Sequence, residues 1–546
     1  MTFRILTVTM LGIAASALAQ GPLPPTADGT AIVRGRIVAA DTGKPLRRAR
    51  VSFASLDSPG RPQSITTNVD GRYEMKNLAA GRYAVSADRS GYLMLRYGQR
   101  RPLETARPLQ VLDGQTLENV DFSLPRTGVI AGQVVDEVGD ALAGATVFAL
   151  RPEYWQGRRQ LVPSGPPIRT DDAGRYRVTG LSPGTYLVRA LTRETWTVTR
   201  GGTKDVMAFA PTYFPGTADV NVARRVTVGV GQQITGVDVS MLPARTVSVS
   251  GTAVDSRGRP LPNIMLVQSA GGPNGGMTGS GGRSVVAGDG TFAIHDVAPG
   301  EYTLLAAGSD EVARRPIVVA GADVDHVSLV GAGGWSATGL VRTESGAPPP
   351  IRPDRVRISA NPVEGFGAMR MQGEPVYRQM LNDDWTFSIG GVAGPARFRV
   401  GLPDGWAVHS ILYQGRDLVD AIIEPKRTDE PMAGVEIVVT DRVTTLTGQL
   451  VDKQGAPLDG TVIVFSSDRE KWRGDSRWTR AARPDQTGQF QIKGLPAGEY
   501  LAVAADFVQD GAWNDPDFLG PISRNASRFT LVAGESRTIA VALETR

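Results

Sequence analysis

Cysteine is absent from all 546 residues of the chain. The absence excludes disulfide bonds, thiol nucleophiles and thiolate metal ligands, and it removes the residue to which a lipoprotein anchor is attached. Each domain must therefore be held together by an apolar core. The hydrophobic fraction of 41% is enough for such cores and excludes a chain that is disordered throughout.

Histidine is nearly as scarce, since the whole chain has three: His295, His326 and His409. A catalytic zinc ion needs about three protein ligands and a nearby general base. None of the three histidines lies in a His-x-x-Glu or His-Glu-x-x-His pattern. The sequence therefore predicts no zinc peptidase, no bound metal and no cofactor, and we expect His295 on the surface of a strand.

Signatures of other hydrolases are missing too. The nearest match to a Gly-x-Ser-x-Gly nucleophile elbow is residues 279–282, which lie in a glycine-rich insertion and predict a flexible loop. Adjacent carboxylates occur at Asp171-Asp172 and Asp383-Asp384. We interpret both pairs as turn residues, ahead of a weak calcium site or the acid pair of a glycosidase. We predict that the protein is not an enzyme, with an unfamiliar site between two units as the alternative.

Long hydrophobic runs are confined to the N-terminus, so the sequence predicts no transmembrane helix in the mature chain. Residues 1–19 are typical of a signal peptide, with basic Arg4, a short apolar run and a small-residue site that predicts cleavage after Ala19. A buried N-terminal strand or helix is the alternative. Residues 20–30 are proline-rich and predict an extended spacer. We expect a secreted or periplasmic protein, with the cell surface as one location.

An excess of charge of one sign is also absent. The chain has 59 basic and 55 acidic residues, a net charge of +4, and the two signs are interleaved along the sequence. A protein that binds nucleic acid usually concentrates basic residues on one face or in one arm. The sequence therefore predicts no nucleic-acid partner.

What the chain does contain is an internal repeat. Each unit opens with glycine in a short apolar strand, continues through a turn that often carries Pro-Leu, and closes with a strand of alternating apolar residues. Val120, Phe122 and Leu124 close the first unit in this way. The opening glycines are Gly35, Gly132, Gly251, Gly339 and Gly448.

The most regular element of the repeat is a pair of aromatic residues ten positions apart. Alternating apolar residues surround both members, and a period of two is typical of half-buried strands. We therefore predict that each pair fills a core from two opposite sheets. In the fourth unit the step is one residue longer, and Trp385 replaces the turn glycine. The pairs are Tyr73 and Tyr83, Tyr176 and Tyr186, Phe292 and Tyr302, Phe387 and Phe398, and Phe490 and Tyr500.

Short strands at regular spacing predict an all-β protein, a tandem array of about five antiparallel transthyretin-like or immunoglobulin-like β-sandwiches. Short links between units predict a semi-rigid string whose contacts are mostly between nearest neighbours. The predicted units are residues 31–126, 127–244, 245–332, 333–441 (a degenerate copy) and 442–546.

The repeat resembles the carboxypeptidase regulatory-like domain in its Gly-x-Val-x-Asp, Gly-x-Pro-Leu, Asp-Gly-x-Tyr and Leu-x-x-Gly-x-Tyr segments. The resemblance covers nearly all of the mature chain and implies a seven-stranded sandwich, of a kind grouped with starch-binding-like and collagen-adhesin B-type modules. It implies export from a bacterium. It implies no activity, because this module carries none of the zinc chemistry of the namesake enzymes.

Six aromatic residues outside the repeat consensus form the candidate ligand-stacking site. Exposed rings on sandwich loops can stack on sugars or anchor a protein partner. The alternative, which we favour, is that these rings cap cores or fill contacts between neighbouring units. The six are Tyr154, Trp155, Trp196, Trp472, Trp478 and Trp513.

The sequence thus predicts an exported, non-catalytic structural or adhesive binding module of the cell envelope, with a carbohydrate or an envelope protein as its ligand. The alternative is an accessory or spacer subunit of an exported hydrolase or of an outer-membrane assembly. The sequence leaves the identity of the ligand and the oligomeric state open.

Overall fold

A computed structural model describes residues 29–56, 61–155, 158–269, 277–308, 311–363, 378–392, 394–424, 431–452, 454, 456, 458–474, 476–485, 488–541 and 543–544. These residues form short strands arranged as successive pairs of sheets, which confirms the all-β fold of tandem sandwiches. The predicted signal peptide and nearly all of the spacer lie outside them. No helix in this part of the chain has the length and apolar character needed to span a bilayer.

The first sandwich places the inward residues of each strand in one core, which includes Val33, Ile37 and Phe53. Its strands are β1 (Ala31–Ala39), β2 (Arg50–Ser55), β3 (Gln63–Thr66), β4 (Arg72–Leu78), β5 (Gly81–Asp88), β6 (Leu95–Arg96), β7 (Leu109–Val111), β8 (Thr116–Leu117) and β9 (Phe122–Leu124). One sheet has the order β4-β1-β8, with β9 also on β1. The other has the order β3-β2-β5-β6, with β7 on β5.

The second sandwich repeats this plan and adds strands from its insertion. Its strands are β10 (Gly128–Val135), β11 (Thr146–Trp155), β12 (Arg158–Pro163), β13 (Ile168–Arg169), β14 (Arg175–Leu181), β15 (Gly184–Leu191), β16 (Thr195–Arg200), β17 (Thr203–Ala210), β18 (Thr212–Tyr213), β19 (Val226–Val228), β20 (Gln233–Ile234), β21 (Val239–Ser240) and β22 (Leu242–Arg245). The sheets β14-β10-β20 and β12-β11-β15-β18 enclose the core. A third sheet, β16-β17-β22, joins the insertion to the link that leads to the third sandwich.

The third sandwich pairs the sheet β26-β23-β29 with the sheet β25-β24-β27-β28-β30. Its strands are β23 (Val247–Val254), β24 (Asn263–Ser269), β25 (Met277–Val285), β26 (Thr291–Val297), β27 (Gly300–Ala307), β28 (Glu311–Val319), β29 (Val324–Val330) and β30 (Ala332–Gly333). The prediction that residues 279–282 form a flexible loop is wrong. These residues belong to β25 and pair along β24, because backbone hydrogen bonds to a neighbouring strand can hold a glycine-rich segment that has few side chains to pack.

The described residues of the fourth unit form two facing sheets despite its degenerate sequence. Its strands are β31 (Trp335–Thr343), β32 (Arg357–Pro362), β33 (Arg378–Met380), β34 (Thr386–Val392), β35 (Ala396–Gly401), β36 (Ala407–Tyr413), β37 (Arg416–Asp417) and β38 (Met432–Thr440), with a 3-10 turn at Pro353–Arg355. The sheets β34-β31-β38-β36-β37 and β33-β32-β35 enclose a core that includes Trp335. The Trp335 indole N–H donates to the Gly394 carbonyl at 2.9 Å.

The fifth sandwich pairs the sheet β42-β39-β45 with the sheet β41-β40-β43-β44, and β46 adds to β43. Its strands are β39 (Thr445–Gln449), β40 (Thr461–Ser466), β41 (Thr479–Ala482), β42 (Gln489–Lys493), β43 (Gly498–Ala505), β44 (Ser527–Leu531), β45 (Ser536–Ala540) and β46 (Leu543–Glu544). Helix α1 (Pro516–Ile522) and 3-10 turns at Arg469–Lys471 and Ala512–Asn514 cover the outer face of β40 and β43. The sequence did not predict this short helix.

In every sandwich the opening strand pairs antiparallel with the strand of the first aromatic residue. It also pairs with the closing strand, and there the two strands run parallel. The sheets are therefore mixed. Alternation of apolar residues marks a strand but carries no information on its direction, so this pairing was not predictable from the repeat.

The five aromatic pairs lie where the sequence predicts them. All ten side chains are buried, with at most 6% of their surface exposed. In the first sandwich Tyr73 lies in β4 and Tyr83 in β5, which belong to opposite sheets, and both rings pack around Phe53. The pairs are therefore cross-sheet core residues, as predicted.

In four of the five pairs the second member is a tyrosine, which also fixes the turn before it. The Tyr186 hydroxyl donates to the Ser182 carbonyl at 2.6 Å, four residues upstream, and the same bond joins Tyr500 to Pro496 at 2.7 Å. A buried hydroxyl needs such a partner. The recurring Leu-x-x-Gly-x-Tyr segment is thus a turn closed by its own tyrosine.

The fourth unit lacks this closure because Phe398 has no hydroxyl group. Its first turn is also different, since Trp385 occupies the position of the turn glycine and has a φ of 66°. Left-handed backbone is costly for a bulky residue. Trp385 is 8% exposed and packs in the core, so the burial of its ring compensates for the strained backbone. This agrees with the packing role that the sequence predicts for it.

The opening glycines share one structural cause. A Cβ atom at Gly251 would overlap the carbonyl oxygen of Val327, and the closing strand occupies the same space beside the other four opening glycines. In the third sandwich this close approach follows a bulge in the closing strand at His326, whose φ is 58°. Glycine is therefore required where the two backbones meet.

Candidate functional site

The candidate ring Trp472 is part of a core. It is 5% exposed, its indole N–H donates to the Ser466 carbonyl at 2.6 Å, and its ring packs edge-on against Phe465 with 5.3 Å between centroids. Arg469 lies over the ring, 5.2 Å from the centroid. Trp472 thus anchors the segment that covers the outer face of the fifth sandwich.

Trp478 lies at the junction between the fourth and fifth sandwiches. Its indole N–H donates to Oδ2 of Asp420 at 3.0 Å, and Asp420 belongs to the fourth sandwich. The ring is stacked with Tyr500 at 6.1 Å and 26°. The ammonium group of Lys471 lies 3.9 Å from the ring centroid. An indole that bonds to the neighbouring sandwich in this way holds two units together.

Arg477 strengthens the same junction. Its Nε donates to Oδ2 of Asp420 at 3.0 Å, and its Nη1 donates to the Val408 carbonyl at 3.3 Å. One carboxylate of the fourth sandwich therefore accepts bonds from two consecutive residues of the fifth. Sequence analysis missed Asp420 and Arg477, because neither residue stands out from the many interleaved charges of the chain.

Two further candidate rings, Trp196 and Trp513, pack within their own sandwiches. Trp196, on β16, packs against Phe209 at 4.8 Å and contacts the core of the second sandwich. Trp513 is half-buried and packs against the outer cluster of the fifth sandwich. The backbone of Tyr154 and Trp155 lies in β11, and their side chains are outside the described part of the structure. These placements favour the alternative of core and junction packing for Trp196, Trp472, Trp478 and Trp513.

Arg189 is a buried charge between the second and third sandwiches that sequence analysis also missed. It is 2% exposed, and its guanidinium lies over the Tyr213 ring at 5.4 Å. Burial lowers the pKa of Arg189, and the neighbouring Tyr213, Tyr302 and Glu301 oppose the shift. Burial also raises the pKa of Tyr302, in the third sandwich, to about 12. Arg189 thus makes a cation–π contact within the second sandwich, at a place where Glu301 and Tyr302 of the third sandwich act on its charge.

The carboxylates considered as catalytic acids serve turns. Oδ1 of Asp171 accepts bonds from the backbone N–H groups of Ala173 and Arg175 at 3.0 and 2.8 Å. Oδ1 of Asp384 accepts from the Thr386 backbone N–H at 3.0 Å. Carboxylates that bond to nearby backbone amides in this way stabilise tight turns. The turn interpretation therefore agrees with the structure at both aspartates.

The histidines are separate from one another in their contacts. His295 is exposed on β26, as predicted, with its Nδ1 3.0 Å from Oγ of Ser248. His409 faces Glu344 at 3.0 Å. Among the described residues, no three His, Asp or Glu side chains are grouped closely enough to hold a metal ion.

Residues 32–125 match the carboxypeptidase regulatory-like domain family. The match coincides with the first sandwich and confirms the resemblance there. No curated protein matches the chain.

Solved structures with some likeness include bacterial surface proteins. The minor pilin GBS52 of Streptococcus agalactiae is 14% identical over 39% of this chain and 95% of its own, with a TM-score of 0.23. Two B repeat units of the collagen-binding protein of Staphylococcus aureus are 13% identical over 75% and 98%, with a TM-score of 0.13. The shaft pilin SpaA of Lactobacillus rhamnosus GG is 14% identical over 40% and 98%, with a TM-score of 0.20. Likenesses this low do not decide the function of the chain.

Proposed function

We propose that this chain, whose residues 32–125 match the carboxypeptidase regulatory-like domain, is an exported, non-catalytic structural module of the cell envelope. In this proposal the sandwiches form a scaffold with fixed junctions, and the scaffold presents its outer loops to a protein of the envelope. Residues 1–19 direct the chain out of the cytoplasm.

The observation that supports the proposal is the structural role of residues that lie outside the repeat consensus. Trp478 and Arg477 bond to Asp420 across one junction, Arg189 is buried against Tyr213 beside the third sandwich, and Trp472 fixes the cover of the fifth sandwich. These groups join two units or complete one unit instead of lining a cleft. Bonds across a junction limit relative motion of neighbouring units, which suits a scaffold.

A protein ligand fits this arrangement better than a sugar. Sugar binding on sandwich domains needs an open aromatic face. The Trp472 ring is buried, while Trp478 is stacked with Tyr500 and bonded to Asp420. The same junctions favour a second candidate function, a spacer subunit that holds an exported assembly at a set distance.

The proposal is tested with the mature full-length chain in two experiments. A glycan array should give no signal that depends on Trp472 or Trp478. Chemical crosslinking on intact cells should join the protein to one defined envelope protein. The control variant is Val138→Ser, which changes an exposed residue of the second sandwich and should leave the crosslink intact.

Three results would contradict the proposal. The first is glycan binding that Trp478→Ala abolishes while the fold is retained, which would make the protein a carbohydrate binder. The second is turnover in a hydrolase screen supplemented with divalent metals, which would make it an enzyme. Crosslinking that yields no reproducible partner would also count against a scaffold for another protein.

A further inference from the structure

One contact departs from the predicted string of nearest neighbours, because it joins the first sandwich to the fifth. The loop between β6 and β7, residues 97–108 (the docking loop), reaches the segment after β43. There the Asp510 backbone N–H donates to the Leu103 carbonyl at 2.7 Å, and Glu104 pairs with Gln509 as an antiparallel bridge. Backbone pairing of this kind sets one register between residues that are far apart in sequence.

A buried arginine lies at the centre of this contact. The Arg483 side chain is 1% exposed, and that of Glu104 is 6% exposed. Nη1 of Arg483 lies 3.2 Å from Oε2 of Glu104 and donates to the Thr105 carbonyl at 3.0 Å. Nη2 donates to Oδ1 of Asp459, in the fifth sandwich, at 2.9 Å. The docking loop thus supplies two of the acceptors that this guanidinium uses.

Asp459 is shared between the two sandwiches. Besides Arg483 of its own sandwich, it accepts a hydrogen bond from Arg107 of the docking loop and forms an ion pair with Arg100 at 2.7 Å. Burial acts to raise the pKa of Asp459, but the hydrogen bond from Arg483 and the three arginine charges outweigh it and lower the pKa. The carboxylate is therefore ionised wherever the protein is folded near neutral pH.

The docking loop is itself built to present these groups. Oε2 of Glu104 accepts the backbone N–H groups of Arg100 and Arg101 at 2.7 and 3.2 Å, which holds the loop in a tight turn. Leu103, whose carbonyl meets the fifth sandwich, has a φ of 66°. Strained backbone of this kind persists where the surrounding contacts compensate for it.

Outside the buried centre, weaker contacts surround the docking loop. Arg96 pairs with Asp510 at 3.2 Å, and the Arg101 guanidinium lies 5.7 Å from the centroid of the Phe507 ring. Arg82, also in the first sandwich, pairs with Asp404 of the fourth at 3.2 Å. Exposed pairs such as these add little stability. They do show that the first sandwich faces both sandwiches at the far end of the chain.

We propose that the docking loop and the fifth sandwich of the same chain form a clasp, which closes the five-sandwich array into a ring in solution. The physical reason is the burial of Arg483. In the closed array the buried guanidinium has Glu104 and Thr105 of the docking loop as acceptors, and burial is tolerated for charges that are paired and hydrogen-bonded in this way. The clasp goes beyond the proposed function, because it concerns the arrangement of the units and not what they bind.

The first test uses the absence of cysteine from the full chain. The bond from the Asp510 N–H to the Leu103 carbonyl places these two residues opposite each other next to the Glu104–Gln509 bridge. Cα atoms of a hydrogen-bonded antiparallel pair are about 5.5 Å apart, within the range of a disulfide. We expect the double variant Leu103→Cys, Asp510→Cys, which leaves Glu104 and Arg483 in place, to form a disulfide within one molecule under mild oxidation. The single variants Leu103→Cys and Asp510→Cys are the controls, since each can only crosslink two molecules.

The second test removes charge while preserving shape. The variant Glu104→Gln with Arg107→Gln should open the ring and raise the radius of gyration of the full chain, measured by small-angle X-ray scattering. Arg50→Gln is the matched control, because Arg50 pairs with Asp88 within the first sandwich, at 3.0 Å. The control should keep the radius of gyration of the unmodified protein.

The outcomes separate the alternatives. A disulfide within monomers, together with expansion of the charge variant, supports the clasp. Disulfides formed only between molecules would overturn it, since the docking loop would then pair with a second copy. A charge variant that folds and does not expand would overturn the role of the buried ion pairs. The proposed function fails separately, through glycan binding or turnover, whatever the shape of the array.

Discussion

The close approach of opening and closing strands can be tested by adding one methyl group. Gly251→Ala places a Cβ atom 2.7 Å from the carbonyl carbon and 2.8 Å from the backbone nitrogen of Val327, and nearer still to the carbonyl oxygen. Real Cβ atoms essentially never come this close to backbone, and a backbone cannot rotate away as a side chain can. The closing strand β29 must therefore shift away from β23.

The free energy of unfolding that the third sandwich should lose in Gly251→Ala can be estimated as the sum of three contributions. Overpacking a tight site costs about 1–3 kcal/mol, and each ladder hydrogen bond that the shift weakens adds up to about 1 kcal/mol. Replacing glycine by alanine also stiffens the unfolded chain, which returns about 0.4–1 kcal/mol. Because the overlap is with backbone, the upper part of the overpacking range applies, about 2–3 kcal/mol, and one weakened bond roughly offsets the gain from the stiffer unfolded chain. The net loss expected for the third sandwich is therefore about 2–3 kcal/mol, equivalent to roughly a 30- to 140-fold change in an opening equilibrium.

Hydrogen–deuterium exchange of the full chain measures this loss locally. Peptides from β23 and β29 should exchange about 30- to 140-fold faster in Gly251→Ala. Gly288→Ala is the matched control, because Gly288 lies in the same sandwich with ordinary backbone angles and nothing within 4 Å of its added Cβ. Equal protection in the two variants would refute the steric account of the opening glycines.

Three further predictions concern the turn, the junction and the clasp. Tyr186→Phe should destabilise the second sandwich by about 1 kcal/mol, seen in thermal unfolding, because the Ser182 carbonyl loses its donor; an unchanged transition would show that the bond is unimportant. Trp478→Phe keeps the stack on Tyr500 but removes the donor to Asp420, so limited proteolysis between the fourth and fifth sandwiches should become faster, and an unaltered digest would contradict a role in the junction. The pKa of Asp459 is lowered in the folded protein, so its contribution to the clasp is present above the ordinary aspartate pKa and is lost as the pH falls through the lowered value. Small-angle scattering should therefore find the same radius of gyration at pH 7 and pH 5 and expansion only below about pH 4, whereas expansion at pH 6 would exclude Asp459 as the cause.

Much of the fold was predictable because each sandwich is specified by short-range patterns. The alternation around Tyr73 and Tyr83 identified two half-buried strands, and their constant spacing identified them as partners in one core. The same reasoning placed His295 on a strand surface and Trp385 in a packing role. It failed at residues 279–282, because glycine content indicates a lack of side-chain packing and says nothing of backbone pairing along a neighbouring strand.

The candidate site was predictable only as a set of residue types. Trp472 and Trp478 stood out because the repeat does not require them, but the sequence could not show whether their rings face solvent or a neighbouring unit. Their partners Ser466 and Asp420 are ordinary residues at ordinary positions. A hydrogen bond across a junction depends on the orientation of two whole sandwiches, which no local pattern records.

The sequence by itself determined the repeating unit and its aromatic core residues, because both follow from the period of a strand and the shape of a turn. It also showed the recurring opening glycines, but not the closing strand whose close approach requires them. Only the tertiary structure decided that closing strands run parallel to opening strands, that Trp478 bonds across a junction, and that Arg483 meets Glu104 from the other end of the chain. The physical reason is distance along the chain. Local patterns fix what each sandwich buries inside itself, while contacts between sandwiches depend on how complete, folded units pack together.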